Sequence, residues 1–212
     1  MSRIKQVRAR LLTLDPFPAW LFVGFVLFWI WLAIAPYYRS DWLLENILVF
    51  AAVPVLGWLW YQGGVSRLAW LSIFLFLIFH EVGAHYSYSE VPYDRWLRTL
   101  LGFSLDQRFS FERNQYDRWV HFLYGLLLFP LMEDLVKRRL LPVMLILSHS
   151  AFYEIAEWLA VVLFPGELGE SYLGAQGDIW DMVLALLGAS IASLLSVTAH
   201  YFVTPINSNS NK

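Results

Sequence analysis

Histidine and carboxylate side chains recur in this sequence in pairs spaced three or four residues apart, each within or beside an apolar run. Residues at this spacing lie on one face of a helix. Imidazole with carboxylate suits two kinds of chemistry, the binding of a divalent metal and general acid–base catalysis. The pairs are Glu81/His85, Asp117/His121, Glu154/Glu157 and Asp178/Asp181, and His80 precedes the first of them in "HEVGAH".

Metal-assisted chemistry is our first hypothesis for these groups. The sequence contains no Cys, so any metal would need His, Asp or Glu ligands, and Zn²⁺, Mn²⁺ or Mg²⁺ are the candidates. The histidines of "HEVGAH" are five residues apart, which differs from the HExxH motif of zinc proteases. We predict catalytic roles for Asp117, His121, Glu154 and Asp181, metal ligation by His80, Glu81, His85, Glu157 and Asp178, and substrate contacts from Arg118, Tyr153 and Gln176.

Three alternatives stay open from the sequence. The groups could form a metal-free acid–base or binding site, part of a transport pathway, or buried pairs that only stabilise the fold. A single His–acid pair inside a bundle is more often structural, since buried polar groups need partners. Four pairs at one depth favour a site. His149 fits a packed neutral histidine as well as a site residue, and Glu45 and Asn46 are peripheral candidates.

The elements that must position these groups are membrane-spanning helices. Of the 212 residues, 58% are hydrophobic and only 15% are charged, whereas about 25% are charged in a soluble protein. The net charge of −2 argues against a nucleic-acid partner. We therefore predict an all-α, polytopic membrane bundle, with about six spans of roughly 20 residues each. The predicted spans are Phe17–Tyr37, Leu43–Tyr61, Ser66–Tyr86, Asp117–Leu135, Leu140–Phe164 and Asp178–Val203.

The distribution of Lys and Arg predicts the orientation of the spans. The basic clusters "RIKQVRAR" and "VKRRL" lie on one side if both termini are cytoplasmic, as the positive-inside rule favours. The first apolar run is longer than a signal-peptide core, which predicts an uncleaved span. We predict a basic cytoplasmic segment over 1–16, one membrane domain over 17–203 and a polar cytoplasmic tail over 204–212. The paired polar groups then converge near the periplasmic leaflet, where ionisable residues in spans indicate function.

Several stretches of the sequence resemble those of two known membrane families. "DRWVHFLYG", "YEIAEW" and "GDIWDMVLALLGA" are similar to the VanZ-like membrane superfamily, and that resemblance implies functional roles for Asp117, His121, Glu154 and Asp181. Where that superfamily tends to have Gln and Asn, this chain has Glu157 and Ala185. With "HEVGAHYSYSEVP" and "NQYDRWVH" added, most of the chain resembles the YjdF-type family of bacterial inner-membrane proteins. The resemblance implies a multi-pass protein of the inner membrane, with the lipid bilayer as its partner. A lipid or lipid-linked ligand is predicted instead from the position of the polar groups, because a site at the outer leaflet would face lipid head groups. The resemblance implies no particular activity and no oligomeric state.

Overall fold

In the part of the chain that the computed structural model describes, all regular secondary structure is helical. That part is 13–137, 141–163 and six residues between 190 and 198. Side chains at 154, 156–158 and 160–161 lie outside that description, as does most of the sixth predicted span. The described helices are α1 (Phe17–Ala33), α2 (Arg39–Gln62), α3 (Arg67–His85), α4 (Tyr93–Leu101), α5 (Leu105–Phe109), α6 (Tyr116–Val136) and α7 (Leu141–Leu163).

Three of these helices, α2, α3 and α6, are long and apolar enough to cross a membrane. Helix α1 is apolar as well but has 17 residues, and the apolar stretch 141–153 of α7 is shorter still. The predicted first span extends to Tyr37, whereas α1 ends at Ala33. A proline disfavours helical geometry in the residue before it, so Pro36 accounts for this early end. The guanidinium of Arg39 then donates hydrogen bonds to the carbonyl oxygens of Ala33 and Ile34.

Helix α3 is the central helix of the bundle. It packs against α1, α2 and most extensively α6, and α6 in turn packs against α7. Ala69 and Ala84 of α3 are almost completely buried, and their small side chains allow the neighbouring helices to approach closely. Around Ala69 lies an apolar cluster that includes Trp70 and Ile73 of α3 and Leu131 of α6. This packing determines the direction in which each polar side chain of α3 points.

The two ends of the bundle differ in their polar contacts. At the end that contains His85, called here the His85 end, the backbone N–H of Tyr37 donates to the carbonyl of His85 over 2.9 Å. At the opposite end, called the Arg67 end, the Arg67 guanidinium contacts Asp15 at 2.9 Å. There Asp134 accepts the backbone N–H of Ser66 at 2.8 Å, so this acid satisfies a donor at the start of α3.

The polar stretch between α3 and α6 contains two short helices that were not predicted from the sequence. Gly102, in the left-handed conformation with φ of 74°, ends α4, and the Ser104 hydroxyl caps the first turn of α5. Asp94 joins the two helices by accepting hydrogen bonds from the Ser104 hydroxyl at 2.8 Å and from the backbone N–H of Asp106 at 3.1 Å. Burial alone would raise the pKa of Asp94, but its hydrogen bonds outweigh that effect and lower the pKa below the ordinary value of 3.8.

Candidate functional site

A cavity of about 450 Å³ lies between α2, α3, α6 and α7. Towards the His85 end its walls are polar, and along the remainder they are apolar. The apolar walls include Val55 of α2, Ile73 of α3 and Leu128 of α6. The polar walls are formed by Asp41, Glu45, His80, Ser87, Tyr88, Asp117, His121, Tyr124, His149, Ser150 and Tyr153.

Asp117 and His121, predicted as a pair on α6, both face this cavity. The Asp117 Oδ1 atom lies 3.6 Å from His121 Nε2, one helical turn away. The His121 ring lies beside the ring of Tyr153 on α7, with 6.1 Å between the ring centroids. Three of the predicted site residues are therefore brought together by two neighbouring helices.

Glu45 of α2 lies at the centre of the polar end. Tyr153 hydrogen-bonds its carboxyl group, and the carboxyl groups of Asp41, Glu81 and Asp117 are close enough to repel its charge. Glu45 is only 7% exposed, and within the described part of the chain its Oε2 atom has no hydrogen-bond partner. A buried polar atom without a partner is costly, and such an atom in a cavity wall is an attachment point for a bound molecule.

His80 on α3 lines the cavity, and the turn after α3 folds back so that Tyr88 contacts His80. Tyr88 hydrogen-bonds His80 Nδ1 over 2.6 Å, and His80 Nε2 lies 3.3 Å from the backbone oxygen of Glu45. Burial raises the pKa of the Tyr88 phenol well above its ordinary value, and the carboxylates of Glu45 and Asp117 raise it further. The phenol therefore stays protonated and donates to Nδ1, which leaves Nε2–H to donate to the Glu45 carbonyl. With one nitrogen accepting and the other donating, the His80 ring is neutral.

Backbone strain accompanies that turn. Ser87 and Tyr88 both have positive φ, 55° and 48°, a conformation that non-glycine residues rarely adopt. Hydrogen bonds maintain it: the Tyr88 N–H donates to the carbonyl of Gly83 at 2.7 Å, and the Ser87 hydroxyl donates to Asp41 at 3.0 Å. Strain of this kind clusters at functional sites, where the surrounding structure compensates for it.

The other two polar residues of "HEVGAH" face away from the cavity. Glu81 is completely buried beside Trp42 and Asn46 of α2. His85 Nδ1 lies 2.7 Å from the carbonyl oxygen of Leu32, at the end of α1. The structure therefore does not bring His80, Glu81 and His85 to one point. Within the described residues, no group of three or more His, Asp or Glu side chains could hold a metal ion.

The remaining predicted residues are placed only in part. Arg118 donates to Gln115 at 2.7 Å, near the start of α6. Glu154 and Glu157 lie on α7, but their side chains are outside the described set. Gln176, Asp178 and Asp181 lie wholly outside the described residues. The roles predicted for these six residues stay predictions.

A family model described as "Predicted membrane protein (DUF2238)" matches residues 17–202 of this chain. The chain belongs to this family. It is also 30% identical over 174 residues to the "Inner membrane protein YjdF" of Escherichia coli (strain K12), an alignment that covers 76% of this chain and 79% of that relative. No solved structure matches. The predicted YjdF-type membership and the inner-membrane location are thereby confirmed, and the DUF2238 protein is embedded in the lipid bilayer.

Several residues at the polar end of the cavity in this DUF2238 protein were missed or left open by the sequence reading. Asp41, Ser87 and Tyr88 lie outside apolar runs, where a polar residue is unremarkable. Tyr124 hydrogen-bonds His149 Nδ1 at 2.7 Å, so His149 is a packed histidine that also lines the cavity. Glu45 was assigned a peripheral place, although it is central. A carboxylate within an apolar run was the available signal for it.

Proposed function

We propose that this DUF2238 protein binds a lipid-like amphiphile in the cavity, its apolar chain along α2 and α6 and its polar end beside Glu45 and Asp117. The observation that carries the proposal is the continuity of the cavity, in which acids and histidines at the His85 end pass directly into an apolar groove. The volume of about 450 Å³ falls within the roughly 300–1,000 Å³ range of small-molecule sites.

The membrane arrangement forms part of this proposal. We infer one domain over 17–203 with six spans, the first uncleaved, the basic segment 1–16 and the tail 204–212 cytoplasmic, and the His85 end periplasmic. Arg67, together with the basic residues of "RIKQVRAR" and "VKRRL", would then lie on the cytoplasmic side. The amphiphile would enter from the outer leaflet. We also infer a relationship to the VanZ-like superfamily, which rests on the sequence motifs alone.

Acid–base chemistry on the bound amphiphile is a second candidate function. The Asp117–His121 pair favours it, since a carboxylate 3.6 Å from an imidazole can orient that ring for proton transfer. The metal-assisted chemistry that the sequence suggests has no support from the described residues and stays a prediction, because it depends on Glu154, Glu157, Asp178 and Asp181. Transport of an ion is not favoured, because the described cavity walls towards the Arg67 end are apolar, as at Leu131, Met132 and Leu135.

Photolabelling tests the proposed binding. A twelve-carbon alcohol with a diazirine in its chain is added to the protein in phosphatidylcholine nanodiscs, and the labelled residues are mapped by mass spectrometry. We expect labels on cavity residues such as Val55 and Leu128. The substitution Ala52→Phe, which fills the apolar part of the cavity, removes them, and Ile47→Phe on the lipid-facing side of α2 leaves them unchanged. Labels that are confined to lipid-facing residues in all three proteins would refute the binding site.

A further inference from the structure

We propose that α4 and α5 form an interfacial membrane anchor, whose apolar face lies among the phospholipids of the leaflet at the His85 end. This contact with lipid lies outside the cavity and is independent of the binding function proposed above. Three features support it: the amphipathic sequence of α4, the exposure of its apolar face, and the aromatic residues that surround it.

The sequence of α4 separates apolar from polar side chains. Its apolar residues follow the spacing i, i+3, i+4, i+7 and i+8, which places them on one face of the helix. They are Tyr93, Trp96, Leu97, Leu100 and Leu101. The remainder of the helix surface carries Asp94, Arg95, Arg98 and Thr99. A helix with one apolar and one charged face is suited to the boundary between water and hydrocarbon.

Protein covers the beginning of this apolar face, and the face continues beyond it. Tyr93 and Leu97 pack in the apolar cluster that also contains Tyr88 of the cavity wall. The large apolar side chains that follow are exposed, Leu100 by 79%, Leu101 by 64%, Phe103 by 45% and Phe109 by 61%. Apolar surface of this extent is unfavourable in water, and a contiguous apolar patch marks a contact with protein or membrane.

Phospholipid is the contact that the surroundings indicate. The segment connects α3 and α6, which are long and apolar enough to cross a membrane, in a protein that is embedded in the bilayer. Tyr37, Tyr38 and Trp119 are exposed at the same end, and exposed Tyr and Trp are typical of the membrane interface. Trp96 of α4 extends this group, because its ring contacts that of Tyr86, which contacts Tyr37. The apolar face of α4 is therefore continuous with an aromatic belt.

The charged residues of the segment fit a position among lipid head groups. Arg95 of α4 and Arg108 of α5 are exposed. A long Arg side chain can cover apolar surface with its methylene groups while its charge reaches phosphate groups. Asp94 is 9% exposed and accepts hydrogen bonds from Ser104 and Arg98, so this acid is used within the segment and not at the lipid surface.

Single cysteines that carry nitroxide spin labels test the proposal, since the chain contains no native Cys. Labels at Leu100→Cys, Leu101→Cys and Phe109→Cys collide with dissolved oxygen, which concentrates in hydrocarbon, or with a nickel chelate, which stays in water. Thr99→Cys on the polar side of α4 is the matched control, and Ile47→Cys on the exposed side of α2 is the reference for lipid. All five side chains are exposed, so the substitutions leave the packing intact.

Electron paramagnetic resonance of the whole protein in phosphatidylcholine nanodiscs measures both collision rates. We expect the ratio of oxygen to nickel collisions at positions 100, 101 and 109 to exceed the ratio at Thr99→Cys severalfold. It should stay below the ratio at Ile47→Cys, because an interfacial helix lies at a shallower depth than a membrane span. Ratios at positions 100 and 101 that are no higher than at Thr99→Cys would overturn the proposal. They would show that the face meets water, where a protein partner could bind it instead.

Discussion

Replacing Gly83 with alanine tests whether Tyr88 is held against α3 as the structure indicates. A Cβ atom at position 83 would lie 2.5 Å from the Tyr88 ring, whereas ordinary contacts begin at 3.4 Å. The ring must therefore move by about 0.9 Å. It has little freedom to do so, because Tyr88 is only 8% exposed, packs against Val91 and Tyr116, and hydrogen-bonds His80.

The expected cost follows from opposing contributions. Alanine is favoured over glycine inside a helix by about 1 kcal/mol, which would stabilise the variant. Overpacking a filled site costs about 1–3 kcal/mol. Moving Tyr88 also weakens its bond to His80, a net loss of about 1 kcal/mol, and leaves the ring nitrogen of a buried histidine without its donor. We therefore expect Gly83→Ala to lower the free energy of unfolding by about 1–3 kcal/mol.

Unfolding by sodium dodecyl sulphate in mixed micelles, followed by circular dichroism, measures this change. Gly57→Ala is the matched control, because Gly57 lies inside α2 and a Cβ atom there meets nothing within 4 Å. That variant should be neutral or more stable by up to about 1 kcal/mol. Repeating Gly83→Ala in a Tyr88→Ala background should abolish the cost, since the ring that clashes is gone.

Two results would refute this reasoning. Equal stability of Gly83→Ala and Gly57→Ala would mean that Tyr88 does not occupy the position described. An undiminished cost of Gly83→Ala in the Tyr88→Ala background would place the clash on another residue. In either case His80 would lose the partner that determines its tautomer.

Two further substitutions test contacts outside the cavity. Asn46→Ala should cost roughly 2–4 kcal/mol in the same unfolding assay, because it leaves a hole in the core and removes the acceptor of the Trp29 indole N–H; a change below about 0.5 kcal/mol would contradict that contact. Asp94→Asn should speed amide hydrogen exchange in 93–107, because Ser104 and Arg98 lose a charged acceptor. The pKa of Asp94 is lowered by folding, so its stabilisation is present above pH about 4 and is lost as the pH falls through the folded-state pKa. Wild-type protection of this segment should therefore decline in acid, and a decline of the same size in Asp94→Asn would rule out this role.

The predictability of the helices depended on their composition. Long apolar runs gave bounds close to those observed, as in α3, predicted as Ser66–Tyr86 and found as Arg67–His85. A helix with an apolar exterior is stable in lipid without tertiary help, so composition suffices. Helices α4 and α5 were missed because their nine and five residues are maintained by contacts through Asp94, which a local pattern does not record.

For the candidate site, too, relations within one helix were predictable from the sequence and contacts between helices were not. Asp117 and His121 were predicted as a pair because both lie on one helix, where spacing determines proximity. Glu81 and His85 were predicted as a pair for the same reason, yet Glu81 is buried beside α2 while His85 contacts α1. Spacing places two side chains on one face of a helix, but the positions of the neighbouring helices decide what each side chain meets. No spacing rule relates Glu45 to Tyr153, which lie on different helices.

By itself the sequence determined that this is an apolar helical protein of the membrane, and it predicted that acids and histidines gather near one end of the spans. Hydrophobicity and helical period are properties of each segment alone, so they can be read without knowing its neighbours. Only the tertiary structure decided that Glu45, rather than Glu81, lies at the centre of the polar end, and that this end opens into an apolar groove. Both depend on how α2, α3, α6 and α7 pack, and helix rotation and crossing are set by side-chain contacts between segments that are distant in the chain.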